Sequence, residues 1–347
     1  MDVARPGAAQ PRRLRRDAGR HYDVDWELAN DEAFSSVVQR GTVTTSRAQA
    51  HSVHVEPGGL DPAREYFYRF RSGGYVSPLG RTRTAPGAGA AVNQLKYCFT
   101  SCQHWEEGYY HAYRGVLADD PDLVLFLGDY ICEKPSGKAA SGKARGLAVP
   151  DDTTTLALYR ARHGQHKTDV DLQAAHAMAP WIRQAQRQQP AVPAVPVGRR
   201  TITGSAQEQW LLNALTTHPA TWDFLGQQVF FAQRDGDGDR NTCESPDSWN
   251  GYAASRDRIT KGWVDRGVPV TSYGDNNPPS SAWFAHNPHV KYCQDKRGYV
   301  RVTATSAQLR ADFRVVSNAL EPDPAKVTIS TDKAFVVQAG RKGLQAA

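Results

Sequence analysis

No apolar stretch of the 347-residue chain approaches the roughly 18 residues that a membrane-spanning helix needs. The first residues hold no signal-peptide hydrophobic core, so the expectation is a soluble chain whose export signal has been removed or lost. Cysteine is scarce. The five present are Cys98, Cys102, Cys132, Cys243 and Cys293, and none forms a CxxC pair, which excludes a zinc ribbon. An odd count leaves at least one thiol unpaired, and the disulfide pattern stays open. Beyond the first residues no basic run alternates with aromatics, so no specific nucleic-acid recognition is expected. There is also no internal repeat.

Apolar residues make up 40% of the chain and charged residues 22%, the balance of a globular protein able to build a sizeable core. Eight Trp and fourteen Tyr supply large surfaces for burial or stacking. The formal net charge is +6. Arg12, Arg13, Arg15 and Arg16 concentrate it at the start, where it reads as a solvated arm. The alternatives are a nucleic-acid or membrane contact, or a field drawing in anionic substrates.

Residues 1–20 are rich in Pro, Gly and Arg and read as a disordered basic arm. From 21 to 86 short alternating runs predict strands, at Asp23–Leu28, His51–Val55 and Tyr66–Phe70. Pro57-Gly58-Gly59 and Ser72-Gly73-Gly74 mark turns between them. This spacing fits an all-β sandwich of fibronectin or immunoglobulin type. Residues 87–94 follow as a linker. Residues 95–347 form the larger domain. It opens with a strand at Leu95–Thr100, a helix around Tyr109–Ala118 and the apolar run Leu123–Leu127. Such a run is a strand buried on both faces, so the order strand, helix, strand predicts a βαβ unit in a parallel sheet. Helices are expected at Leu156–His163, Leu172–Met178 and Gln207–Leu215, the last amphipathic with Trp210, Leu211, Ala214 and Leu215 on one face. Strands are expected at Gln228–Ala232, Val300–Thr305 and Asp312–Val316. Pro190–Pro196 and Ser272–Asn287 read as irregular.

Two features point to chemistry. Leu127-Gly128-Asp129-Tyr130 delivers a carboxylate directly after a buried strand, where open α/β sheets bind ligands. Its plain alternative is a turn or helix cap. Thr100-Ser101-Cys102-Gln103 also follows a strand directly. Neighbouring parallel strands lie about 4.8 Å apart, and metal–ligand bonds are about 2.0–2.3 Å. If the strands are neighbours, Cys102 and Asp129 emerge together and one ion could bridge them. A thiolate with a carboxylate suits iron or zinc better than magnesium. The plain alternative for Cys102 is a small buried hydrophobe. His286 and His289 are further candidate donors, with a structural or solvent-facing role as the alternative. Asp235, Asp237 and Asp239 lack the Glu of a calcium loop and read as a polar loop.

Several stretches resemble the alkaline phosphatase D family. They include Phe99-Thr100-Ser101-Cys102-Gln103, Gly108-Tyr109-Tyr110, Asp120–Leu125, Gly128-Asp129-Tyr130-Ile131 and Leu172–His176. Gln207–Leu211, Ser248–Tyr252, Asn287–Lys291, Arg297–Val300 and, in front, Ser77–Pro86 continue the likeness in family order. The resemblance implies a metallophosphatase-type α/β/β/α sandwich behind an N-terminal β-sandwich. It also implies a secreted or extracytoplasmic phosphomonoesterase and phosphodiesterase using iron with calcium. The family's cysteine ligand falls on Cys102 and its bridging aspartate on Asp129. Its tyrosine ligand falls on Cys132, a departure that exchanges a phenolate for a thiolate. Asp247 and Trp249–Tyr252 are placed by the same resemblance along the phosphate cleft.

Two blocks of the family pattern are missing. After Ala179-Pro180-Trp181-Ile182 the family continues into Asp-Asp-His-Glu, whereas this chain reads Arg183-Gln184-Ala185-Gln186-Arg187. After Gly267-Val268-Pro269-Val270 the family has Gly-Asp-x-His, whereas this chain reads Thr271-Ser272-Tyr273-Gly274. Two-ion phosphoester hydrolysis needs one ion to activate water and another to hold phosphate. The expectation is therefore one weakly bound ion on Cys102, Asp129 and Cys132, and a hydrolase whose activity is reduced or absent. The alternative is a catalytically inactive remnant or binding protein of the family. The expected ligands are phosphate-ester small molecules, or diesters of the phospholipid or nucleotide type. Loss of a central strand should also open edges in the sheet.

Overall fold

The computed structural model describes residues 19–135, 144–147, 152–183, 201–217, 220–227, 229–232, 235, 248–265, 285–293, 296–341 and 343–347. The expected disordered arm, the Pro190–Pro196 segment and most of 272–287 lie outside them. The chain divides into two compact units, residues 1–90 and 91–347.

The first unit is all-β. Strands β1 (His21–Ala29), β2 (Val37–Ser46), β3 (Glu65–Ser72), β4 (Tyr75–Val76) and β5 (Gly80–Arg83) form one antiparallel sheet of order β2-β1-β3-β4, with β5 also on β3. Exposed and half-buried residues alternate along β1 and β2, and Leu28, Ala29, Tyr66 and Phe67 are the buried apolar residues of the unit. The β3–β4 hairpin turns on Gly73 and Gly74, at φ 56° and 83°. Left-handed backbone at both positions is what a two-residue turn matched to strand twist requires. His51–Val55 keeps the alternating burial of a strand but pairs with nothing in a ladder. Its first residue sits at φ 57°, and the Thr45 hydroxyl donates to the Ser52 carbonyl, so the segment leaves the sheet as a turn.

The second unit is built on a mixed sheet. Its strands are β6 (Gln94–Thr100), β7 (Leu123–Phe126), β8 (Trp181–Arg183), β9 (Gly298–Thr305), β10 (Gln308–Val316), β11 (Ile329–Gln338) and β12 (Gln345–Ala346). Their order is β12-β11-β10-β9-β6-β7-β8. β6, β7 and β8 run parallel, and the other pairings are antiparallel. Helix α1 (Ala112–Asp119) links β6 to β7, while α2 (Leu156–His166) and α3 (Val170–Met178) link β7 to β8. The first is the expected βαβ unit, and the second, ending on β8, is a further one. Period-two alternation sends successive residues to opposite faces. Cys98 and Val124 join Tyr113, Val116, Leu172 and Ala175 of the helices in one core. Tyr97 joins Val300, Val302, Leu309, Phe313 and Phe335 in a second core on the other face. Leu123 and Leu125 pack against that second core, so the apolar run of β7 is covered on both sides as its composition predicts.

Helices α4 (Ser205–Thr217) and α5 (Ala253–Asp265) carry a third core of Phe231, Trp249, Ile259 and Trp263. Two expectations are corrected here. Trp210 lies 64% exposed; Leu211 packs half-buried against the third core, and among the described side chains of α4 the buried one is Glu208. Its carboxylate accepts from Arg258 and from the Ser255 hydroxyl of α5, and that pairing fixes the rotation of the helix. The described part of the expected strand Gln228–Ala232 joins no ladder. Phe231 is instead drawn onto Trp249 and Trp263, at ring separations of 4.9 and 5.3 Å. Among the described residues no helix is long and apolar enough to cross a membrane.

Candidate active site

β6 and β7 are adjacent and parallel, with Thr100 opposite Phe126. Beyond their ends the backbone stays stitched. Leu127 N donates to Thr100 O at 2.9 Å, Cys102 N to Gly128 O at 3.0 Å, and Gln103 N to Asp129 O at 3.2 Å. The chain turns sharply at both ends. Cys102 has φ 57°, Gly128 φ 132° and Asp129 φ 52°. Positive φ is uncommon outside glycine and concentrates at functional sites, where surrounding contacts hold the strain. Those turns bring the Cys102 Sγ to 3.5 Å from Asp129 Oδ2. The two candidate ligands therefore leave neighbouring strand ends side by side. Cys102 is exposed, which removes its alternative reading as a buried hydrophobe.

A buried amide holds this corner. Gln103 donates from Nε2 to the Tyr130 carbonyl at 3.1 Å and accepts from the Tyr113 hydroxyl at 2.5 Å. Its carbonyl accepts from the Tyr110 hydroxyl at 3.0 Å. Burial pushes both phenols well above their ordinary range, so they remain neutral donors. His166 lies 3.2 Å from the same carbonyl, and burial pushes its pKa down. Sequence reasoning missed Gln103 as an anchor. Its only signal was its place directly after Cys102.

Cys132 lies in the turn beyond Asp129, where its carbonyl accepts from the buried Arg162 at 2.6 Å. Its thiol is pushed up to about 12, by burial first and then by the negative charges of Asp129 and Cys102. Among the described residues no disulfide joins Cys98, Cys102, Cys132 and Cys293, and Cys243 lies outside them. Among the described residues no group of three or more His, Cys, Asp or Glu is placed to hold a metal ion. The donor chemistry on hand is thus a thiol and a carboxylate in contact, with a second thiol in electrostatic range. His286 and His289 are not brought to this corner: neither lines the cavity described below. Asp235 is buried, and its backbone exchanges two hydrogen bonds with the side chain of Asn287. Asp237, Asp239 and Asp247 lie outside the described residues. Trp249 and Tyr252 are buried, Trp249 in the third core, and Trp249 donates from its indole to Gln227 Oε1 at 2.5 Å.

A cavity of about 400 Å³ opens at the carboxyl end of β6. Cys102, Gln103 and His104 line it together with Tyr109, Phe230 and Arg297. His104 lies 3.2 Å through Nε2 from the Lys134 carbonyl. Arg297 donates to Glu107 Oε2 at 2.7 Å and remains half exposed.

A thiol and a carboxylate in contact at adjacent parallel strand ends, the thiol lining a cavity of ligand size, form a candidate site at the place where open α/β sheets bind ligands. Comparison with known proteins gives the family. The profile described as "PhoD-like phosphatase" matches residues 97–186 and 183–275, and that described as "PhoD-like phosphatase, N-terminal domain" matches residues 6–86. Alkaline phosphatase D of Bacillus subtilis (strain 168) is 30% identical over 444 residues, covering 93% of this chain and 76% of the relative. A solved structure of PhoD superposes with a TM-score of 0.80 at 28% identity, covering 94% of this chain and 85% of that one. The chain belongs to the PhoD-like phosphatase family, and by that membership it is a phosphoester hydrolase of a metal-dependent kind.

Proposed function

We propose that this chain is an extracytoplasmic hydrolase of phosphate monoesters and diesters that holds one metal ion weakly on Cys102 and Asp129; Cys132, the third donor by resemblance, would have to move to reach the ion, since no three such side chains among the described residues are placed to hold one. Its turnover is expected to be reduced or absent. The observation that carries this reading is the 3.5 Å approach of the Cys102 Sγ to Asp129 Oδ2 on strained backbone at the two strand ends. The donor set fits one ion of the softer kind, iron first and zinc second, because thiolates select such ions. For a second ion, calcium by resemblance, the described residues offer no ligand set. An ion bound at the corner would supply Lewis-acid polarisation of a phosphoryl oxygen.

The chain's own residues would divide the remaining work. Gln103, fixed by Tyr110, Tyr113 and Tyr130, keeps the Cys102 turn in place. Arg297 offers a half-exposed guanidinium for phosphate at the cavity. Missing ligand blocks support reduced turnover. An alignment of 444 positions against 347 residues leaves no fewer than 97 positions of the relative without a counterpart here. The family profile also matches in two segments that meet at 183–186, where the Asp-Asp-His-Glu block is absent. The competing reading, an inactive remnant that only binds, rests on the same observation.

Metal analysis combined with hydrolysis of an aryl phosphate at alkaline pH, with iron and calcium supplied, tests the proposal. The expected result is at most one ion per chain and weak turnover that Asp129→Ala abolishes along with the ion. Metal retained in Asp129→Ala would remove the assignment. Metal-dependent binding without any turnover would select the inactive reading.

A further inference from the structure

The carboxyl ends of three parallel strands lie level in the sheet, with Phe126 of β7 opposite Thr100 of β6 on one side and Arg183 of β8 on the other. The ends of β6 and β7 lead to Cys102 and Asp129, whereas β8 ends on a cation. Arg183 lies over the face of Tyr130, 4.8 Å from the ring centroid. His163 of α2 and His176 of α3 stand around the same ring, at 5.6 and 5.7 Å. Lys167 caps the carboxyl end of α2, one turn beyond His163. Every side-chain charge that acts on His163, Lys167 and His176 is positive. Burial, then Lys167 and Arg183, push His163 down to about 4. Burial, then Arg183 and Lys167, push His176 down to about 3, and burial followed by Arg183 lowers Lys167. Among the described residues neither Arg183 nor Lys167 forms an ion pair. The carboxyl ends of α2 and α3 supply partial negative charge only. Arg183 and Lys167 are exposed and His163 is half-buried, so the group is open to solvent. Neither these side chains nor Tyr130 line the cavity beside Cys102.

We propose that Arg183, Lys167 and His163 form an oxyanion site at the carboxyl end of β8 that takes a phosphate dianion without a metal ion. Cations that repel one another and lack a counter-charge gain by taking up an anion. The guanidinium offers two parallel N–H donors to a tetrahedral oxyanion, and the ammonium adds a compact charge with three donors. Stacking on Tyr130 holds the guanidinium by its face and leaves its N–H edge for the ligand. The site is separate from the phosphate position assigned to Arg297, and it stands whether or not the Cys102 corner holds an ion.

The test is titration calorimetry of inorganic phosphate into the full chain, with a chelator present and the ionic strength held constant with chloride. Saturable binding is expected, weakened about tenfold or more in Arg183→Gln and by a smaller factor in Lys167→Gln, the scale of a lost charge-assisted contact. Arg183→Lys keeps the charge but not the fork and should fall between the parent and Arg183→Gln. Arg297→Gln should retain the binding, since that side chain belongs to the cavity. Phosphate should raise the melting temperature of the parent chain and not that of Arg183→Gln. Melting in chloride alone shows that each variant is folded. No saturable binding by the folded parent chain, equal affinity in the parent and Arg183→Gln, or binding lost in Arg297→Gln and kept in Arg183→Gln would each overturn the proposal. Neither metal nor turnover enters the assay, so its failure and the failure of the hydrolase reading are separate results.

Discussion

His176 sits near the end of α3 with its imidazole stacked on Trp181, ring centroids 3.9 Å apart, and its Nε2 2.9 Å from the Tyr130 hydroxyl. Burial, and then the Arg183 charge, depress its pKa from 6.5 to about 3. The neutral ring is therefore the folded form, whereas the unfolded chain takes up a proton near pH 6.5. A group depressed in this way contributes stability that is complete above pH 6.5 and is lost as pH falls toward about 3. At about 1.4 kcal/mol per unit, the full shift corresponds to a loss of about 5 kcal/mol, as an upper limit. His163 is depressed to about 4, by burial first, and adds to the slope with the same sign. Urea midpoints measured from pH 7 to pH 4 should fall steadily in the parent chain and clearly less in His176→Gln, which cannot take a proton. Identical slopes in the two proteins would show that the ring is not held neutral by its surroundings.

At the scale of elements, the sheet depends on one ion network that ties it to α1. Arg301 of β9 donates to Asp119 at the end of α1 at 2.6 Å and to its register partner Asp312 of β10 at 3.1 Å. Arg314 and the Tyr299 hydroxyl reach the same Asp119. Both carboxylates are buried, so removing the shared cation leaves Asp312 with Arg310 alone and Asp119 with Arg314 and the Tyr299 hydroxyl, each short of a cation in a desolvated place. Arg301→Met is expected to destabilise the chain by about 3–5 kcal/mol. Denaturant midpoints would measure this, with amide exchange rising first in β9 and β10. Strands with strong apolar alternation, β6, β7, β9 and β10, could be placed from sequence because each buries large side chains. β2 could not, since Val37-Val38-Gln39-Arg40-Gly41-Thr42-Val43-Thr44 stays largely half-exposed or exposed and carries little apolar contrast. β11 begins with exposed Ser330, Thr331, Asp332 and Lys333 and becomes apolar only at Ala334. In α5 only Ile259 and Trp263 join the third core, and the charged residues around them hide the pair. The site divides in the same way. Cys102 and Asp129 were legible because local sequence places them at strand ends. The Gln103 anchor joins Tyr110, Tyr113 and Tyr130, up to 27 residues away, and the cavity lining joins Tyr109 to the distant Phe230, which no local pattern reports.

At the scale of the molecule, the proposed ligands Cys102, Asp129 and Cys132 all lie in the unit of residues 91–347. An ion that binds the folded form alone stabilises only what must be folded to bind it. Linkage gives about 2.7 kcal/mol when free ion exceeds its dissociation constant a hundredfold. For a unit of this size that corresponds to a rise of about 5–10 °C in melting temperature. Residues 19–90 contain none of the ligands, so their strands should be indifferent to the ion. Hydrogen exchange with and without iron or zinc separates the two cases. Protection should rise in β6, β7 and the turns after them, stay level in β1 to β5, and return to the starting values with chelator. Asp129→Ala should remove the gain in β6 and β7 entirely. Equal protection gains in both units, or gains that survive Asp129→Ala, would place the ion on other groups and detach metal binding from the paired strand ends.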